Sequence, residues 1–134
     1  MRPIAKVKDW MKKDIITVKT SMPVPKLVKL LNDEQISGVI VVDYAGDVMG
    51  VISALDIFKI FREERSMDGL VAEDIMTPYA VQITPEDTLG DAALVMLEHN
   101  IHRLVVTASI NQKKPVGIIT PVDIIAALVK EGRY

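Results

Sequence analysis

Cysteine is absent from the 134 residues, and its absence excludes disulfides, thiolate metal sites and a cysteine nucleophile. The chain also lacks a charge of one sign. Sixteen lysines and arginines and eighteen aspartates and glutamates leave a formal net charge of −2, and they are scattered, so there is no basic stripe for nucleic acid and no acidic tail. Long apolar runs are missing as well. The longest span a handful of residues, far short of the roughly 20 needed to cross a bilayer, and the opening Met-Arg-Pro-Ile-Ala-Lys has no apolar signal region. The expectation is a cytoplasmic protein with no membrane and no nucleic-acid partner. No Gly-rich phosphate loop and no nucleophile elbow occur. His99 and His102 lie three apart across an expected helix-to-strand boundary, without the ligand set of a zinc site.

What is abundant is apolar side chain. At 49% hydrophobic residues the chain can fill a core and leave apolar surface that seeks a partner, so an oligomer is expected. Its length suits one compact domain or two half-domains sharing a core.

The chain also repeats itself. Residues 7–61 and 72–128 read as one module written twice. A constant offset of 65 pairs Asp9 with Asp74, Met11 with Met76, Ile36 with Ile101 and Val41 with Val106. After a two-residue insertion around Lys113 and Lys114, an offset of 67 pairs Gly50 with Gly117, Ile52 with Ile119 and Asp56 with Asp123. The charged and small residues from Arg62 to Val71 read as a linker, dividing the chain into a first repeat at 1–65, with the start of the linker, and a second at 66–134.

Periodicity changes in the same order within each copy. Ile15 to Val18 and Val81 to Ile83 suit brief strands. Pro23 to Gln35 and its counterpart through Leu89, Ala92, Val95 and Met96 carry apolar residues at helical spacing, and Thr84-Pro85-Glu86-Asp87 reads as the start of that second helix. Val39 to Asp43 and Leu104 to Thr107 are β-branched strands. Turns at Ala45-Gly46-Asp47 and at Asn111 to Lys114 connect them as hairpins to Val48–Ile52 and Val116–Ile119. Closing helices follow at 54–62 and 121–130. The order β-α-β-β-α, twice, defines a mixed α+β fold. The seven methionines and Trp10 suit irregular core space.

The most informative strings are Gly50-Val-Ile-Ser-Ala-Leu-Asp56 and Gly117-Ile-Ile-Thr-Pro-Val-Asp123. A hydroxyl three residues before an acid at a strand-to-helix junction is the pattern of a capping box. The same acid could accept hydrogen bonds from a ribose diol, as one does in dinucleotide folds, and the hydroxyl could serve both.

Together with the Val-Lys-Asp-Trp-Met11 and Ala-Glu-Asp-Ile-Met76 openings and the Val-Ile-Val-Val-Asp43 strand, these strings make the chain resemble a tandem pair of CBS domains, a Bateman module, over nearly its entire length. The resemblance implies two β-α-β-β-α repeats packed with pseudo-two-fold symmetry and a stand-alone, non-enzymatic regulatory module. It implies adenosine-containing ligands, namely AMP, ADP, ATP or S-adenosylmethionine, acting as regulators with no cofactor required. It also implies a disc-like homodimer and an effector protein as partners.

It further implies two clefts that mix the repeats. One combines Ser53 and Asp56 with Ala80 and Val81, which would flank an adenine, and with His102 and Arg103, which would hold phosphate. The stretch Asn100-Ile-His-Arg-Leu104 is similar to the phosphate-contacting segment of AMP-activated kinase gamma subunits, and arginine's planar fork suits phosphate. The other cleft combines Thr120 and Asp123 with Ile15, Ile16, Ser37 and Gly38. Uncharged Ser37 and Gly38 there replace the cationic pair, with Lys12 or Lys13 as alternative sources of charge, so the expectation is two unequal sites. A structural dimerisation unit and a weak nucleotide hydrolase remain the alternatives.

Overall fold

The computed structural model describes residues 5–79 and 81–134. The first repeat contains α1 (Val7–Trp10), β1 (Thr17–Lys19), α2 (Val24–Glu34), β2 (Gly38–Val42), β3 (Val48–Ser53) and α3 (Ala54–Arg62). The second contains α4 (Ala72–Ile75), β4 (Thr77–Pro78), α5 (Leu89–His99), β5 (Leu104–Ser109), β6 (Gln112–Ile119) and α6 (Pro121–Lys130). The β-α-β-β-α order is thus present twice, in a mixed α/β fold, with a one-turn helix ahead of each copy. In the second copy the leading strand contracts to a single parallel bridge between Ile83 and Val106.

Local chemistry sets most boundaries. Gln35 and Asn100, 65 residues apart, both turn left-handed at φ 53° and 51° and end α2 and α5; asparagine is among the residues that tolerate this conformation best. The start of α5 differs from the expectation. Thr84 to Asp87 forms a turn instead, with the Asp87 amide donating to the Thr84 carbonyl at 3.1 Å. The helix begins at Leu89, because Thr88 and Asp91 make a reciprocal cap: the Thr88 amide donates to Asp91 Oδ2 and the Asp91 amide to Thr88 Oγ1, each at 3.0 Å. Such a box satisfies two orphan amides at once. The turn it leaves behind is held by the chain's opening segment, since Val7 and Lys8 donate to the carbonyls of Asp87 and Pro85.

The second hairpin also turns earlier than expected, at Ile110 and Asn111, so that Lys113 and Lys114 lie on β6. The insertion is absorbed by register shifts around Thr107. The first hairpin shifts register at the equivalent place, between Val41 and Val42.

The chain divides into two compact units, one of residues 16–80 and one joining 1–15 to 81–134. Each repeat therefore gives its opening segment to the core built by the other repeat's hairpin. In the 16–80 unit, β1 pairs parallel with β2, β2 antiparallel with β3, and β3 antiparallel with β4, which is the second repeat's contribution. The other unit repeats these links. Lys12 pairs with Ile118 as Thr77 pairs with Val51, and Lys6 bridges Thr88 as Val71 bridges Pro23.

The apolar periods of the helices meet those of the strands in each unit. Val18, Val24, Leu27, Val39, Val41, Ile52, Ile57 and Ala72 form one core, and Val7, Ile83, Leu89, Ala92, Met96, Leu104, Val106, Ile119 and Ala127 form the other. Met76 packs at the edge of the first, and Met11 and Trp10 at the edge of the second. Lys130 covers the Trp10 ring, with its Nζ 5.7 Å from the centroid. Outside the core, Glu86 accepts from Lys6 at 2.7 Å and Lys8 at 3.0 Å. Those two hydrogen bonds, the one from Lys6 foremost, bring its pKa down to about 2.

Two glycines permit the exchange of opening segments. A Cβ on Gly50 would sit 2.5 Å from the Thr77 carbonyl oxygen and 2.9 Å from Met76 Sδ; one on Gly117 would sit 2.7 Å from Met11 Sδ and 2.9 Å from the Lys12 carbonyl oxygen. Backbone cannot yield as a flexible side chain does, so only glycine admits such an approach. Gly50→Ala and Gly117→Ala should each lower the unfolding free energy by about 1–3 kcal/mol, the usual cost of overpacking, read as a fall in urea midpoint. A neutral result at either position would mean that the opening segment does not dock there.

Candidate functional site

The two repeated acids are the buried carboxylates among the described residues. Asp56 and Asp123 are each 8% exposed, although both stand one turn into a helix, where solvent is usually close. Their burial follows from the strand-to-helix junction. Ser53 ends β3 and caps α3, Thr120 follows β6 and caps α6, and the acid three residues on folds back over the junction.

The Ser53 amide donates to Asp56 Oδ2 at 2.8 Å and its hydroxyl reaches the same oxygen at 3.4 Å. The Thr120 amide and hydroxyl approach Asp123 Oδ2 at 2.9 and 3.1 Å. The cap expected from sequence is therefore real. It uses one carboxylate oxygen, Oδ2, and leaves the other, Oδ1, to donors from elsewhere in the unit. The Thr84 amide and hydroxyl approach Asp87 Oδ2 in the same way, at 2.8 and 3.2 Å, so this motif alone marks a turn rather than a site.

Asp56 and Asp123 are set apart by what meets Oδ1. On Asp56 it is the Thr77 hydroxyl, donating at 3.2 Å. On Asp123 it is the Lys12 ammonium at 3.9 Å. Lys12 and Thr77 are counterparts under the offset of 65, each following the methionine that packs on its unit's glycine. Thr77 escaped the sequence reading. The signal available was its place after the repeated methionine, which becomes interpretable only once β4 is known to pair with β3.

The 16–80 unit holds Ser53 and Asp56 together with Ile16, Ser37 and Gly38. The Ser37 carbonyl accepts from the Ala54 amide at 2.9 Å, Gly38 pairs with Ser53, and the Ile16 carbonyl accepts from the Ile40 amide at 3.1 Å. The other unit holds Thr120, Asp123 and Ile15 together with Val81, His102 and Arg103, the last two leading into β5. Ala80 lies outside the described residues. Each expected cleft thus draws on both units, and each unit carries one acid with the strand entrance assigned to the other cleft.

A hollow of about 320 Å³ adjoins Asp56 and Thr77 and is lined also by Lys59, Glu63, Arg65 and Asp74. At the places equivalent to Ile75 and Glu63 the other unit has Trp10 and Lys130, in contact with one another. Each unit also has a groove between its two long helices. The first, of about 440 Å³, runs past Leu31, Ile36, Ile57 and Phe58; the second, of about 350 Å³, runs past Met96, Ile101, His102, Ile124 and Ile125. Among the described residues no group of three or more His, Asp or Glu is arranged to hold a metal, and no helix is long and apolar enough to cross a membrane.

This duplicated architecture is a known one. The chain belongs to the CBS domain family, which matches it at residues 7–63 and 71–130. CBSX2 from Arabidopsis thaliana is 27% identical and similar in structure, with a TM-score of 0.82 over 98% of this chain and 99% of that one. A structure of CBSX2 in complex with AMP gives 28% identity and a TM-score of 0.80, covering 94% and 97% of the two chains. The CBS domain pair of protein MJ0100, solved with 5'-methylthioadenosine and S-adenosyl-L-methionine, is 28% identical with a TM-score of 0.80, over 98% of this chain and 100% of that one. Among curated proteins, the L-aspartate semialdehyde sulfurtransferase of Methanocaldococcus jannaschii is 28% identical over 122 residues, which are 91% of this chain and 23% of that enzyme. The chain spans less than a quarter of the length of the first curated relatives it matches.

The caps have an energetic consequence apart from any ligand. Asp56→Ala removes the acceptor of the Ser53 amide, and Asp123→Ala that of the Thr120 amide, while the exposed Thr77 hydroxyl can turn to water. Each substitution should cost about 0.5–2 kcal/mol of stability without nucleotide, the usual range for losing a cap. Urea unfolding of the ligand-free protein measures this, and wild-type midpoints in both variants would contradict the capping role.

Proposed function

We propose that the protein is a non-enzymatic regulatory module that binds an adenosine-containing ligand through Asp56 and Asp123. The observation that carries this reading is the state of the two acids. Each is buried and tied to its helix by Oδ2, while Oδ1 has one neighbouring donor and retains acceptor capacity. A ribose diol offers the two donors such an oxygen can accept, as acids do in dinucleotide folds. The ligands named for CBSX2 and the MJ0100 domain pair, AMP, 5'-methylthioadenosine and S-adenosyl-L-methionine, have adenosine in common and support that class.

In this reading Ser53 and Asp56 form one site with Ala80, Val81, His102 and Arg103, and Thr120 and Asp123 form the other with Ile15, Ile16, Ser37 and Gly38. The first takes the phosphate more tightly, because His102 and Arg103 bring charge where Ser37 and Gly38 bring none. Regulation follows if the ligand binds one conformation of the module better than another, which alters the surface offered to an effector protein. The 1–65 and 66–134 repeats are then the units of inheritance, and cytoplasmic ligands are the natural effectors.

A thermal-shift panel of AMP, ADP, ATP and S-adenosylmethionine tests the ligand class. A ligand at 100 times its Kd should stabilise the protein by about 2.7 kcal/mol. Calorimetry should then show a larger loss of AMP affinity for Asp56→Ala than for Asp123→Ala. Equal losses would remove the inequality of the sites, and no shift with any of the four would remove the nucleoside reading.

The helix grooves favour a second copy as partner. Phe58 is 56%, Leu97 80% and Ile125 59% exposed along them, and apolar surface of that extent is characteristic of an interface. Sedimentation should find a dimer that Phe58→Ser together with Ile125→Ser converts to monomer. A wild-type monomer at high concentration would rule the homodimer out.

A further inference from the structure

The oxygen that faces away from the cap meets a different chemical group in each unit. Thr77 Oγ1 donates to Asp56 Oδ1 at 3.2 Å, and Lys12 Nζ lies 3.9 Å from Asp123 Oδ1. The positions are equivalent by sequence offset and by strand pairing, since Thr77 lies opposite Val51 and Lys12 opposite Ile118. Backbone placement is therefore the same and only the side chain differs. The hydroxyl brings Asp56 a neutral donor. The ammonium brings Asp123 a countercharge.

Burial separates the two members of that pair. The Lys12 side chain is 61% exposed and that of Asp123 is 9% exposed. The carboxylate is fixed by its helix, whereas the ammonium sits mostly in water on a flexible four-carbon stem. An ion pair of that kind contributes little to stability, so its cation can be redirected at small cost. A sugar diol arriving at Asp123 Oδ1 competes with Lys12 for the oxygen and releases an ammonium beside the ligand.

We infer that Lys12 is the residue that sets the preference of the Asp123 site for a phosphorylated nucleoside over the neutral one, pairing with the phosphate while Asp123 holds the sugar. This rests on the reading of Asp123 as a ribose ligand. It gives that site a cation of its own, from the opening segment, where Ser37 and Gly38 supply none. The Asp56 site has a threonine at the same place and depends on charge from elsewhere.

Calorimetry in an Asp56→Ala background isolates the Asp123 site, with AMP and adenosine as the probes. Lys12→Thr, which copies the other unit, should lower AMP affinity about four- to tenfold at low salt, the size of one charge-charge interaction at roughly 5 Å where solvent raises the effective dielectric to about 50–80. Adenosine affinity should change by a smaller factor, and Lys12→Arg should retain the AMP preference. The difference should shrink as salt rises from about 0.01 M to 1 M, where the screening length falls from about 30 to 3 Å. Equal losses for AMP and adenosine, independent of salt, would make Lys12 a clamp for the opening segment and overturn the inference. Wild-type AMP affinity in Lys12→Thr would overturn it too, while leaving the nucleoside reading intact. Failure of the unmutated protein to bind either probe would overturn both.

Discussion

The close approach of each opening segment to a glycine on the opposite repeat's hairpin is the constraint on which the architecture depends. Gly50 and Gly117 lie on β3 and β6 where any larger side chain would meet backbone carbonyl oxygen and methionine sulfur. Methionine is suited to that place, because its unbranched, polarisable side chain adapts to an irregular gap. Once the segment is seated, its next residue is delivered to the carboxylate at the following helix start. One packing contact thus supports strand pairing, core closure and the surroundings of Asp56 and Asp123 together.

The exchange of segments also explains why the repeats are covalently continuous yet spatially interleaved. A hairpin with two helices leaves an edge strand unpaired. The other repeat's opening segment pairs with that edge, so each unit is completed from both halves of the sequence. Duplication preserves the scheme because each pairing of segments in one unit has a counterpart, sometimes reduced to a single bridge, in the other, even where side chains differ as widely as Lys12 and Thr77. The differences between the units are therefore concentrated in side chains around a shared backbone.

Much of the fold was legible because its signals are local. The 3.6-residue apolar period of α2, the β-branched runs of β2 and β5, and the glycines preceding the capped helices each depend on neighbours within a few residues. The expectation for α5 failed because two consecutive hydroxyl-x-x-acid patterns, Thr84 to Asp87 and Thr88 to Asp91, competed for one helix start. The second forms a reciprocal cap, and the first is occupied by hydrogen bonds to Val7 and Lys8 from about 80 residues away. The second hairpin turned early for a comparable reason, since a bulge near Thr107 could absorb residues that were read as turn.

By itself the sequence determined the duplication, the order of elements and the two acids at the helix starts, because offsets, periodicity and caps are properties of the chain read along its length. It also carried the family, through motifs whose order and spacing recur. Only the tertiary structure decided that the opening segments change places between repeats, that the two acids are buried, and that a threonine and a lysine occupy the same seat beside their second oxygen. Those facts depend on residues more than 20 apart being brought within 3.2 to 3.9 Å of one another. Packing against the other repeat sets that distance, and no local pattern records it.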